Sequence, residues 1–80
     1  MQNRKAPTFA DRRQQISTVE DIDIQLARAK AYVAQIKRDI KAASTLSDKE
    51  HLATYLKEAE RTLHQLRMAS FDIEDELRAS

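Results

Sequence analysis

The sequence predicts an all-α fold: an antiparallel two-helix coiled-coil hairpin with a short basic N-terminal arm, assembling into a helical-bundle oligomer. Three observations lead there. Gly is absent and Pro occurs once, at Pro7, so the residues that build tight turns, bulges and strand ends are missing. Ala, Leu, Gln, Arg, Lys and Glu dominate, and all are strong helix formers. Two apolar stripes advance by alternating steps of three and four residues, the a/d seam of a heptad repeat.

The first stripe runs Val19, Ile22, Leu26, Ala29, Val33, Ile36, Ile40 and Ala43. Ser17 and Glu20 ahead of it have the spacing of a capping box. Glu20, Asp21 and Asp23 then sit at the positive end of the helix dipole, and Lys37, Arg38 and Lys41 at the negative end. A helix is predicted over about 18–43. The second stripe is Leu52, Leu56, Ala59, Leu63, Leu66, Ser70, Ile73 and Leu77, preceded by Ser47 and Glu50 at the same box spacing. It predicts a helix over about 48–78. Only "ASTLS" separates the two, and so short a link favours chain reversal over one continuous rod. The hairpin thus occupies 18–80, and 1–17 form the arm, where Thr8 and Asp11 are placed to cap a short helix carrying Phe9 and Ile16 inward.

Eighty residues make one small domain, a size at which an isolated core gives only marginal stability. With no cysteine there is no disulfide to add, which fits a reducing, cytoplasmic setting and leaves self-association as the common remedy. The chain opens on Met1 and carries no apolar run fit for a signal peptide or membrane span. The expectation is a complete, soluble chain with no membrane partner.

Away from the seam, Ile24, Ala27, Ala31 and Ala34 recur on the f and b positions of the first helix. His64, Met68 and Phe71 do the same on the second. A solitary hairpin should be polar there. Small residues allow close helix approach, and Met and Phe supply adaptable and aromatic anchors. These seven residues are the candidate protein-binding face, used for a homo-oligomer (dimer or larger) and for a separate protein partner. Two plainer accounts compete: Ala chosen for helix propensity, and Phe71 covered by the arm through Phe9 or Ile16.

Charge is balanced overall, 14 basic against 13 acidic side chains, but not locally. The arm sets Arg4, Lys5, Arg12 and Arg13 against Asp11, while the tail sets Asp72, Glu74, Asp75 and Glu76 against Arg78. In an antiparallel hairpin the acidic tail lies at the end from which the arm emerges. The arm is therefore expected to pair with the acidic end of its own or a neighbouring chain, through contacts of about 0–1 kcal/mol each that orient more than they hold. Nucleic-acid binding through Arg4, Lys5, Arg12, Arg13 and the row Lys30, Lys37, Lys41 ranks second. A pI of about 8.1 is low for a dedicated binder, and no helix-turn-helix, zinc-finger or RNA-recognition pattern is present.

Chemistry finds little support. There is no Gly-rich phosphate loop and no cysteine nucleophile. Asp48 with His51, and Glu60 with His64, have metal-ligand spacing without further ligands. The tail carboxylates read as a solvated helix end. Tyr32 and Tyr55, at g positions, are expected at the edge of the seam, where a small anionic ligand held between subunits is a third and weaker reading. Generic heptads of this kind resemble those of many short coiled-coil proteins of bacteria and their phages, and assign no role. The expectation is a non-enzymatic, self-associating helical hairpin without cofactor or metal, acting as an adaptor or inhibitor by binding a protein partner.

Overall fold

The computed structural model describes residues 6–79, and among them only helices and their connections occur. They are α1 (Phe9–Gln14), α2 (Val19–Ala42) and α3 (Leu46–Ala79). The α3 helix, at 34 residues, is about 50 Å long at 1.5 Å per residue, and it sets the 50 × 18 × 15 Å outline of the molecule. The radius of gyration of 14.6 Å exceeds the roughly 12 Å of a compact chain of this length. Much of the surface therefore stays in contact with solvent.

Each helix begins on the same short signal. Thr8, Thr18 and Thr45 are followed three residues later by Asp11, Asp21 and Asp48, and each threonine Oγ1 accepts the backbone N–H of that aspartate at 3.1, 3.3 and 3.1 Å. At α1 and α2 the aspartate closes the box by accepting the threonine N–H at 2.9 and 3.1 Å. The N-caps expected at Ser17 and Ser47 are thus displaced to Thr18 and Thr45. One carboxylate explains the first shift, because Asp21 Oδ2 also accepts the Ser17 N–H at 2.9 Å and satisfies two backbone donors together. At α3, Thr45 accepts the first helical bond, from the Lys49 N–H at 3.1 Å. Ser47 and Glu50 therefore lie inside the helix. The link shrinks to 43–45, where Ala43 leaves α2 in extended geometry at ψ 136°.

Residues 22–26 share a hollow with 70–74, and residues 30–37 share another with 60–67. The two long helices therefore run in opposite directions. Their buried seam contains Ile22, Ala29, Val33 and Ile36 from α2 and Ala59, Leu63, Leu66 and Ile73 from α3. Leu26, Ile40, Leu56 and Leu77 are partly buried against it. Every one of these is an a or d position of the two stripes.

The arm settles on one flank of this pair. When two helices run antiparallel, g positions face each other along one edge of the seam and e positions along the other. Gln25 and Thr62, both g, are buried, as is Ile16, while Phe9, Tyr32 and Tyr55 pack half-buried beside them. Thr62 Oγ1 donates to the Pro7 carbonyl at 3.4 Å, and Arg13 Nη2 meets Glu76 Oε2 at 2.9 Å. The arm therefore lies along the g edge and leaves the e edge open.

Candidate protein-interaction face

The open edge is apolar below and charged along its rim. Toward the end where α2 begins, a hollow is floored by Ile22, Leu26 and Ser70 and edged by Asp23, Glu74 and Phe71. Ser70 occupies an a position where a large apolar residue would fill the seam, so the floor dips there. One heptad nearer the link, Lys30, Lys37, Glu60 and Arg67 stand over Val33 and Leu63. Along α3 the edge residues Arg67, Phe71 and Glu74 follow at four- and three-residue steps, one row on a helix. Lys30, Ala27 and Asp23 form the corresponding row on α2.

Phe71 is 76% exposed, Met68 69% and Ile24 44%. The arm does not cover Phe71: Phe9 and Ile16 pack on the g edge, against the opposite side of the pair. Leu46, 71% exposed at the start of α3, was missed because it precedes the expected helix. A threonine cap one residue before it was the available signal.

The seven candidate residues do not form one patch. Phe71, His64, Ala27 and Ala34 hold b positions bordering the open groove, with His64 reaching the second hollow and Ala34 half-buried. Ile24, Ala31 and Met68 hold f positions, diametrically away from the seam. On two packed helices those rows point outward on opposite sides, so Ile24 and Met68 are separated by the width of the pair.

Of the cations expected to grip phosphate, Arg4 and Lys5 lie outside the described residues. Lys30, Lys37 and Lys41 are exposed along α2. Arg12 does not project into solvent. It is 8% exposed, and its Nη1 donates to Gln25 Oε1 at 3.2 Å. Burial, followed by repulsion from Arg28, lowers its pKa. Its Nε and the Tyr32 hydroxyl are buried without a hydrogen-bond partner. Arg13 is held between Glu76 and the Ile16 carbonyl. In the arm's own charge pattern, one cation is buried and the next answers the acidic end of α3.

Among the described residues no group of three or more His, Cys, Asp or Glu could hold a metal ion, and no helix is long and apolar enough to cross a membrane. His51 packs edge-on against Tyr55, ring centroids 5.1 Å apart. No family model matches the chain, nor does a curated protein or a solved structure.

Proposed function

We propose that this chain is a non-catalytic protein-interaction module, a short antiparallel coiled-coil pair that self-associates and recruits or blocks a protein partner. The observation that carries this reading is the exposure of Phe71 beside a half-open apolar hollow, on the one edge of the pair that the arm leaves uncovered. A solvated Phe at that degree of exposure forgoes the burial that aromatic residues ordinarily gain, and such patches mark contact sites. The elongated outline adds to the case, because a slender pair buries little core and gains most from an added layer. Internal engagement of Arg12 and Arg13 favours this reading over phosphate binding, since one arm cation is buried and the next is paired with Glu76.

Installing a photo-crosslinking phenylalanine analogue at position 71, or at position 68, in cells that make the chain tests it. Discrete adducts with a protein, whether this chain or another, support the reading when the same group at Gln14 on α1 gives none. Absence of adducts at both positions overturns it, and salt-sensitive adducts with nucleic acid would replace it with the phosphate-binding alternative.

A further inference from the structure

The open edge reads as an alternation of charge about an aromatic centre. Asp23 and Glu74 flank the hollow at one level, and Lys30 and Arg67 stand one heptad toward the link. Phe71 and Ala27 lie between the two levels. Seven residues of helix separate the acidic from the basic level, about 10 Å. We infer that this edge is self-complementary and that its occupant is a second copy of the chain. The two copies pack face to face with their helices antiparallel, about a two-fold axis at the level of Phe71 and Ala27. This names the occupant of the contact surface proposed above and rests on that reading.

The symmetry follows from the charges. A two-fold axis lying in the interface and perpendicular to the helices sets α2 on α2 and α3 on α3 in reverse. Asp23 then faces the partner's Lys30, Glu74 faces the partner's Arg67, and each pairing occurs twice. Phe71 meets the partner's Phe71 over the hollow opened by Ser70, and Ala27 lets the α2 helices approach. An axis parallel to the helices would set acid on acid and base on base, which like-charge repulsion disfavours. Within one copy Glu74 already lies 3.6 Å from Arg78, an exposed pairing weak enough to be exchanged. The arm blocks the same packing on the g edge. Ile24 and Met68, on the outward rows, stay free for a different protein.

Such an interface is small. A contact reaching one heptad either side of Phe71 runs about 21 Å along the helices across a molecule 18 Å wide. It covers on the order of 400 Å² per copy, half of the roughly 800 Å² of a standard interface. A small interface of this kind belongs to the weak, transient class, so assembly should be concentration-dependent, and dimer is sought on the order of 100 μM chain, between the micromolar and millimolar marks of the affinity scale.

Sedimentation equilibrium over that range tests the inference with two charge-reversed chains. Lys30→Glu with Arg67→Glu makes both levels acidic, and Asp23→Lys with Glu74→Lys makes both basic. Each alone should be monomeric, its dimerisation weakened at least about tenfold, while circular dichroism shows the helices intact. An equimolar mixture should recover a one-to-one dimer. Should either pair of substitutions unfold the chain, Lys30→Glu and Asp23→Lys singly replace them, with the same expected recovery on mixing. A wild-type chain that stays monomeric throughout overturns the inference, as does a dimer indifferent to the reversals or a mixture that fails to pair. If adducts at position 71 persist with a different protein while the wild type is monomeric, the interaction face stands and only the second copy falls.

Discussion

Arg12 is the one charged side chain buried among the described residues. Its guanidinium lies under the arm with one hydrogen bond, to Gln25, and burial and Arg28 both disfavour its charge. Arginine stays protonated at any accessible pH, so the penalty is constant. Removing either partner alone strands the other. Arg12→Met should lower stability by about 1–2 kcal/mol through an unpaired buried amide, and Gln25→Leu by about 1–3 kcal/mol through a buried guanidinium left without its acceptor. The double substitution should return to wild-type stability or above, a coupling that denaturant melts of the four chains would read. Asp21 makes a different prediction. Backbone N–H groups of Ser17 and Thr18 hold its carboxyl below the usual carboxylate range. A depressed folded-state pKa gives stability that is present above the unfolded value, near pH 4, and lost as pH falls through the folded one. Acid melts should therefore show the α2 start loosening below about pH 4, and Asp21→Asn should flatten that limb. Thr18→Ala should cost about 1 kcal/mol near neutral pH, where the Asp21 carboxylate is charged. The caps were only partly legible. Ser17 with Glu20 and Thr18 with Asp21 both satisfy the same spacing, and proximity alone does not choose between them. Three occurrences of Thr-x-x-Asp, at residues 8, 18 and 45, were the signal that would have chosen, since a shorter acid reaches back to the cap more directly.

At the level of elements, the two long helices were readable because a period near 3.5 held across both stripes, and burial follows it from Ile22 to Ile73. Leu66→Ala, at 2% exposure, should cost about 2–5 kcal/mol, because the antiparallel seam offers little room to collapse. What periodicity could not supply was the difference between the two edges of the seam. Composition did hint at it, since the e positions are mostly charged (Asp23, Lys30, Lys37, Glu60, Arg67, Glu74) and the g positions mostly uncharged (Gln25, Tyr32, Tyr55, Thr62, Ala69), but only the docked arm makes Gln25 and Thr62 interior. A chain beginning at residue 18 should therefore keep most of its helicity by circular dichroism while melting at lower temperature, its g edge laid open. In the full chain Arg13→Ala should change the melting point little, since an exposed pair such as Arg13–Glu76 contributes roughly 0–1 kcal/mol. Exposure of Phe71 and Met68 was legible from their b and f positions. Their separation from Ile24 follows from the same positions, because the f rows of two packed helices point outward on opposite sides.

The whole molecule is a slender body with one thin seam, and that shape makes its stability sensitive to neighbours. If copies add a layer along the open edge, the melting midpoint should rise with chain concentration, and Phe71→Asp should remove the dependence. A midpoint independent of concentration in the wild type would leave each copy standing alone. The docked arm has a further consequence, in time. Its bonds join residues far apart in sequence, Pro7 to Thr62 and Arg13 to Glu76, whereas α2 and α3 meet across a three-residue link. Local contacts form early and distant ones late. A ribosome delivers the arm before the helix that receives it, and at about 5–20 residues per second the arm waits several seconds for α3. During synthesis Phe9, Arg12 and Ile16 are thus presented without their cover, and docking of the arm is the return of an earlier-made segment to a later-made helix.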